Sequence, residues 1–290
     1  DLQDIPDYAK DLKQQKIQLV IPNDPEELTY DLSQMKDLYL NTLDRISKSE
    51  GSTDNITRFK AARYSPVLYV KEDMREQLAQ ELEEKTGIKF GLLIGRQANV
   101  SSFMRHLLVS RFESSMAAFQ TSLGYMIQSA EHLLTWIDRR HKIPVYKKGN
   151  LPEVDDFYTD DGMEEIQETF DKYESRGFFE IDMKYVEDNF IEDVKTDIHL
   201  LQSLREEWFG KENVIKQDPK LDSFIEIAKK KLEQEPERKL IVFSEYADTV
   251  DYLGKKLVEA GLPVMKYTSA DASPNNKESI RANFDAGLKK

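Results

Sequence analysis

The longest regular pattern in the chain is a run of apolar residues that recur at alternating intervals of four and three positions. This heptad spacing is typical of a helix whose apolar seam packs against another helix. The seam consists of Phe112, Met116, Phe119, Leu123, Met126, Ala130, Leu133 and Ile137. The pattern predicts one helix from about Ser101 to His141, roughly 60 Å long at a rise of about 1.5 Å per residue. Such a helix needs a partner to bury its seam.

A second apolar seam further along the chain offers that partner. It consists of Ile191, Val194, Ile198, Leu201 and Trp208. We predict that helices at about 101–141 and 183–208 pack antiparallel as a protruding hairpin, with an acidic tip that contains a helix near 163–173. The alternative is two separate helices of a bundle.

Shorter helices are predicted on both sides of this pair. They lie at about Met35–Ile46, Phe59–Tyr64, Glu72–Lys85 and Pro219–Leu232. Gly87 ends the third, while Asp218 is suited to cap the fourth and Pro219 to begin it. Residues 17–21 and 28–32 are short strand candidates. Residues 88–99 fit a strand, a hairpin or an apolar loop.

The pattern changes near the C-terminal end. Leu240–Phe243 is a short continuous apolar run, which is typical of a strand buried on both faces of a parallel sheet. A helical period follows, Gly261 ends it, and Val264–Tyr267 is a second strand candidate. Ser273-Pro274 then begins another helix. This order predicts a strand–helix–strand–helix unit, in which the loops after the strands line a ligand crevice.

The same stretch resembles the start of the second RecA-like lobe of Swi/Snf-like superfamily II helicases. The resemblance covers Lys239–Tyr246, which includes Ser-Glu-Tyr, and Asp251-Tyr252-Leu253. Thr268-Ser269, Lys277, Ile280, Phe284 and Asp285 match the family in order. The chain departs from the family at Glu245, Tyr267 and Lys277, where glutamine, glycine and arginine are usual.

Several helicase motifs are missing from the sequence. It contains no Gly-x-x-x-x-Gly-Lys-Ser/Thr loop to cradle phosphates, no Asp-Glu-x-His and no Gln-x-x-Gly-Arg-x-x-Arg. The resemblance therefore implies a fragment that begins between the two ATPase lobes and ends inside the second. The fragment itself would bind no cofactor, whereas the complete helicase or translocase would use ATP and Mg.

These patterns together predict a mainly α chain with a C-terminal α/β segment. Residues 1–34 would form an inter-lobe linker with short strands, 35–235 a helical domain, and 236–290 the truncated start of the RecA-like lobe. The resemblance implies DNA, as a duplex, for the partner. The competing hypothesis is a helical scaffold without ATPase activity, whose acidic tip binds a partner protein.

Composition and charge narrow the class of protein further. The net charge is −13, but acidic residues exceed basic ones by 14 between Leu151 and Val214, so the rest of the chain is nearly neutral. An acidic block and a nucleic-acid surface can coexist because charge is screened within about 10 Å. The chain lacks cysteine and any run of about 20 apolar residues. We therefore expect a cytoplasmic protein without a membrane partner.

Four residues of one stretch are candidates for a hinge between lobes. Arg111, Glu113, Ser114 and Ser115 resemble an arginine–x–glutamate–serine–serine stretch of bacterial Swi/Snf-like helicases. The resemblance implies a hinge at the base of the lobe that docks DNA or the other lobe. The alternative is a helix face on which Arg111 pairs with carboxylates and the small serines permit close packing.

Two further groups are candidates for phosphate contacts. Hydroxyls in loops after strands contact phosphates without reading sequence, and the resemblance implies this role for Ser244, Tyr246, Thr268 and Ser269, with Lys277 nearby. Arg139, Arg140 and Lys142 form a dense basic cluster that would bind DNA phosphates or stabilise the end of a helix. The four histidines lack metal-binding spacing, so no metal site is predicted.

Overall fold

The computed structural model describes residues 24–47, 56–146 and 178–284, together with Lys10 and Gln14. The chain divides after Tyr30 into a short first unit and a larger second one. In the first unit, residues 24–30 form no helix or strand, and the predicted strand at 17–21 lies outside the described residues. The predicted strand at 28–32 is wrong, because the Asp31 carboxylate accepts the N–H of Ser33 at 2.8 Å and turns the chain towards the first helix.

The second unit, Asp31–Lys290, is mainly helical in its described residues, which form eight α-helices and one two-stranded sheet. The elements are α1 Lys36–Ser47, α2 Arg75–Thr86, α3 Phe90–Ser114, α4 Met116–Arg140, β1 Lys142–Tyr146, β2 Phe178–Asp182, α5 Asn189–Phe209, α6 Pro219–Gln234, α7 Ala247–Glu259 and α8 Pro274–Phe284. No helix of the described ranges combines the length and the apolar character that a membrane span requires.

The single long helix predicted from Ser101 to His141 is wrong, because the chain breaks at Ser115. Ser115 is extended, with φ −159° and ψ 158°, and its hydroxyl accepts the N–H of Ala118 at 3.0 Å. A serine in this position caps the start of a new helix. The apolar spacing continues across the break, so periodicity alone did not reveal it. The ambiguous segment at 88–99 is helical from Phe90 onwards.

Helices α4 and α5 pack along each other and run antiparallel. Phe119 near the start of α4 has its ring centroid 6.2 Å from that of Phe209 at the end of α5. In the middle of the pair, the Gln202 amide donates to the Glu131 carboxylate at 3.3 Å. Helix α3 packs against α4 as well, so α4 and α5 are part of a helical bundle.

An aromatic cluster around Phe112 joins four helices of this bundle. The ring centroid of Phe112 lies 4.9 Å from Tyr39 on α1, 4.6 Å from Phe119 on α4 and 5.0 Å from Trp208 on α5. The Trp208 indole also donates to the Thr42 hydroxyl at 2.9 Å. Rings at these distances and tilted angles attract each other beyond their burial, so the break at Ser115 lies three residues after the centre of an aromatic cluster.

A β-hairpin that the sequence did not predict connects α4 to α5. Strands β1 and β2 pair antiparallel, with Lys142 opposite Asp182. His141 takes a left-handed conformation, φ 52°, and ends α4 through its N–H bond to Ile137 at 2.8 Å. The predicted acidic tip, with its helix at 163–173, lies outside the described residues.

A buried carboxylate organises the segment before α2. Asp197 on α5 accepts the N–H of Lys60 at 2.7 Å and that of Ala62 at 2.8 Å. The helix predicted at Phe59–Tyr64 is therefore reduced to a 3₁₀ turn at Ala62–Tyr64. Ala61 between the two amides is left-handed, with φ 56°, and those amides are bound to Asp197 instead of to helical carbonyls.

The C-terminal segment contains both predicted helices but neither predicted strand. Helix α7 ends at Glu259, two residues before Gly261, which has φ 83°, and α8 begins at Pro274. Leu240–Phe243 and Val264–Tyr267 form no strand, and Phe243 is 90% exposed. A parallel strand needs hydrogen-bonded neighbours on its edges, and the described residues supply none for either segment. The expected parallel half-lobe is thus not formed in this part of the chain.

Candidate functional site at the helix break

Arg111 is a buried charged residue in the last turn of α3, and it reaches two other helices. Its Nε donates to the Ser122 hydroxyl on α4 at 2.8 Å, and its Nη2 pairs with the Asp248 carboxylate on α7. The guanidinium also lies over the Tyr246 ring, 4.5 Å from the centroid. Only 1% of Arg111 is exposed. One side chain therefore joins the break between α3 and α4 to the start of α7.

Three hydroxyls make a second link between the same elements. Thr249 in the first turn of α7 lies 2.9 Å from the Ser114 hydroxyl and 2.8 Å from the Ser115 hydroxyl. Ser115 accepts the N–H of Ala118 as well, so its own proton is available to Thr249. We call this set the junction: Arg111, Ser114, Ser115, Tyr246, Asp248 and Thr249.

The start of α6 also contacts the junction. The Lys220 ammonium donates to the carbonyls of Glu113 at 2.6 Å and Ser114 at 3.1 Å. These carbonyls belong to the last turn of α3, where a cation is favourable because the final carbonyls lack helical partners. Asp218 caps α6 through the N–H of Leu221 at 3.0 Å, as its position before Pro219 predicted, and accepts the Tyr252 hydroxyl of α7 at 3.2 Å.

The electrostatics of the junction favour a fixed charge pair. Burial lowers the pKa of the Arg111 guanidinium, and the Asp248 carboxylate opposes that shift. Arginine keeps its charge in proteins, so the Arg111 guanidinium stays positive. Asp248 lies in the first turn of α7, where a negative charge also suits the helix dipole. Burial raises the pKa of the Asp218 carboxyl, which caps α6. The contacts of the junction hold the start of α7 against the break between α3 and α4.

Ser115→Ala tests the link that the hydroxyls provide. The variant loses the cap of α4 and the bond to Thr249, and we expect it to lower the free energy of unfolding by about 1–2 kcal/mol. Urea denaturation followed by circular dichroism measures the loss. Ser110→Ala, on the preceding turn of α3 and half-buried, is a matched control with an expected change within about 0.5 kcal/mol. Equal losses in the two variants would contradict the role of Ser115.

Of the phosphate-binding candidates, Tyr246 is buried in the core and Ser244 is half-buried beside it. The Ser244 hydroxyl accepts the N–H of Tyr246 at 3.3 Å at the entry to α7. Because the Tyr246 ring lies under Arg111, it serves the junction and does not line an open surface.

The other loop candidates lie between α7 and α8. Thr268 donates its N–H, at 3.1 Å, and its hydroxyl, at 2.8 Å, to the Asp271 carboxylate. Those bonds close the turn before α8, while Ser269 and Lys277 are exposed. Ser269 and Lys277 are therefore the members of this group whose side chains face solvent.

The members of the basic cluster at the end of α4 differ in their contacts with the hairpin. Arg139 is exposed, whereas Arg140 and Lys142 approach the Glu180 carboxylate on β2 at 2.9 and 3.4 Å. Arg140 also stacks over the Trp136 ring at 4.7 Å. In the described ranges no three His, Asp or Glu side chains are arranged to hold a metal ion.

Four of the six junction residues are candidates from the sequence, although Tyr246 is one for a different role, and two are not. Arg111, Ser114 and Ser115 were candidates, but their partners Asp248 and Thr249 were not. The sequence signal that points to Asp248 is an acidic residue in the first turn of the helix that follows Ser-Glu-Tyr. Glu180 and Asp197 gave no local signal, because their partners lie far away in the sequence.

No protein-family model, curated protein or solved structure matches this chain.

Proposed function

We propose that this chain supplies the helical region and the start of the second lobe of a Swi/Snf-like, ATP-dependent helicase or translocase that acts on duplex DNA. One observation carries the proposal. The Arg111–Ser115 stretch and the Lys239–Tyr246 stretch each resemble the family, and the Arg111 guanidinium lies over the Tyr246 ring, 4.5 Å from its centroid. Two stretches with the same resemblance thus meet at one site.

In this proposal the junction couples the helical bundle to the second lobe. ATP and Mg would bind between the two lobes of the complete enzyme, and closure of the cleft would move the second lobe along DNA. Because Arg111 contacts α4 and α7 together, movement of α7 is transmitted to the bundle. Exposed Ser269 and Lys277 would contact the DNA backbone.

The proposal includes parallel strands at Leu240–Phe243 and Val264–Tyr267. Its support is the continuous apolar run of Leu240–Phe243, the mostly apolar sequence of Val264–Tyr267 and the exposure of both segments here. Ile241 is 61% exposed, and a residue of this kind becomes buried when further strands and helices complete a doubly wound sheet. Pairing with those strands would remove Ile241 and Phe243 from water.

The gene that encodes this chain provides the decisive experiment. We expect its full product to carry the phosphate-binding loop and to hydrolyse ATP faster when duplex DNA is added. The chain of 290 residues, assayed alone at the same concentration, should show no hydrolysis, because it lacks that loop.

An Arg111→Lys variant of the full product tests the junction in particular. Lysine keeps the charge, but its single ammonium cannot donate to Ser122 and Asp248 in the geometry of a guanidinium. We expect a lower kcat for DNA-stimulated hydrolysis with little change in the KM for ATP, since the ATP site is elsewhere. A full product that neither hydrolyses ATP nor binds duplex DNA would refute the proposal and favour the protein-binding scaffold.

A further inference from the structure

A pocket between α2 and the β1–β2 hairpin gathers cations from separate parts of the chain. Lys85 on α2, Lys142 on β1 and Lys184 in the turn after β2 line it. Glu180 lines it too and pairs with Arg140 at 2.9 Å. We use the name lysine pocket for this pocket together with its three lysines and Arg140. Three carboxylates, Glu81, Glu180 and Asp182, line the pocket with them, so the four cations exceed the carboxylates by one.

The other carboxylates of the pocket are held by donors that belong to the fold. Asp182 accepts the backbone N–H of Lys184 at 3.0 Å and so caps the 3₁₀ turn. Glu81 accepts the Tyr185 hydroxyl, and it approaches Lys85 only at 3.6 Å. The Lys85 side chain is 72% exposed. Asp182 and Glu81 therefore each accept a hydrogen bond from a donor of the fold, and Glu81 in addition lies within ion-pair distance of Lys85.

Glu180 differs from Glu81 and Asp182 because it forms ion pairs with two cationic side chains at once. Arg140 approaches one of its oxygens at 2.9 Å, and Lys142 approaches the other at 3.4 Å. The Arg140 and Lys142 side chains are 53% and 45% exposed. The Glu180 side chain is only 16% exposed, but both cations reach solvent, so each pair contributes on the order of 1 kcal/mol. A phosphate, which accepts two parallel bonds from a guanidinium, competes for the same cations.

We propose that the lysine pocket binds the phosphate backbone of nucleic acid, and that Glu180 restrains this binding by holding Arg140 and Lys142. The inference rests on the DNA-binding part of the proposed function and adds a second contact surface, away from α7 and α8. It also assigns Lys85 and Lys184 to the surface. Occupation by nucleic acid requires Arg140 and Lys142 to turn from the carboxylate to phosphate oxygens.

Glu180→Gln in the 290-residue chain tests the restraint directly. Glutamine keeps the size of the side chain and removes the charge that holds both cations. We expect the affinity for a short fluorescein-labelled DNA duplex, measured by anisotropy at low salt, to rise at least about threefold. The slope of log affinity against log salt concentration should steepen by about one, since one more phosphate contact is made.

Two further variants make the result specific. Glu212→Gln also removes one exposed carboxylate that pairs with a lysine, Lys216 at 3.9 Å, but it lies beyond the far end of α5, about 30 Å along that helix from the hairpin. It should change affinity by less than about 1.5-fold. Lys142→Gln alone should weaken binding about threefold and reduce the salt slope by about one.

The outcomes separate this inference from the proposed function. If Glu180→Gln and Glu212→Gln have equal effects, or if Lys142→Gln leaves affinity unchanged, the lysine pocket is not a binding surface. The full product can still show DNA-stimulated ATP hydrolysis in that case, so the helicase proposal survives. If ATP hydrolysis is absent while the three variants behave as expected, the pocket stands and the motor function fails.

Discussion

Arg111→Ala is expected to lower the free energy of unfolding by about 2–4 kcal/mol, the largest loss for any single charged residue of the junction. Removing one member of a buried ion pair typically costs about 3–5 kcal/mol. Asp248 is 24% exposed, so in the variant water hydrates part of its unpaired carboxylate. The expected loss is therefore smaller. The variant also loses the bond to Ser122 and the contact with the Tyr246 ring. Chemical denaturation at neutral pH measures the change.

A double-mutant cycle separates the ion pair from the packing of the long side chain. Arg111→Ala, Asp248→Ala and the double variant should give a coupling free energy of about 1–3 kcal/mol, because the two side chains share one network. Arg139→Ala, an exposed arginine on α4, is the control and should change stability by no more than about 0.5–1 kcal/mol. A coupling energy near zero would show that Arg111 acts by filling space alone.

Asp197→Ala is expected to cost a comparable amount, about 2–4 kcal/mol, for a different reason. The variant leaves the amides of Lys60 and Ala62 without their acceptor, and each unsatisfied buried group costs about 1–3 kcal/mol. Asp197→Asn should cost less, about 1–3 kcal/mol, since its amide oxygen still accepts one bond. Glu192→Gln, an exposed acid on the same helix, is the control and should change stability by no more than about 0.5 kcal/mol.

The pH dependence of stability gives Asp197 a signature that packing alone does not produce. Burial raises the pKa of Asp197 from its ordinary value of 3.8 to about 7, and the Asp193 carboxylate acts in the same direction while the Lys60 ammonium opposes it. Between about pH 4 and 7 the folded protein therefore holds a proton that the unfolded chain has released. Stability from this group is greatest at the acidic end and declines as pH rises through 7.

Denaturation at several pH values checks the sign. The free energy of unfolding of the wild type, relative to Asp197→Asn, should decrease by about 2 kcal/mol between pH 5 and pH 8, because asparagine does not titrate. Glu192→Gln again serves as the control. An advantage of the wild type that stays constant over this interval would contradict the prediction and would mean that Asp197 is ionised throughout, with its two amide donors outweighing burial.

The sequence predicted elements well where a local pattern had a local cause. Gly87 ends α2 in a left-handed conformation, φ 72°, and Asp218 caps α6 before Pro219. Lys36–Ser47 is helical where its apolar spacing required it. In each case the residues that decide the structure lie within one turn of the boundary.

Prediction failed where a distant partner decided the conformation. Ser115 breaks a helix although the apolar spacing continues through it, because its hydroxyl serves both Ala118 and Thr249. The 3₁₀ turn at Ala62 depends on Asp197, 135 positions away. The strands expected at the C-terminal end require neighbours that the described residues do not provide.

The sequence by itself determined the mainly helical character of this protein, the ends of several helices and the two apolar seams, because spacing, caps and glycines act within a few residues. Only the tertiary structure decided that a new helix, α4, begins after Ser115, that Arg111 pairs with Asp248, and that Glu180 pairs with Arg140 and Lys142. Those contacts join residues far apart in the chain, and a charged side chain is buried or paired only when the fold brings its partner within hydrogen-bonding distance.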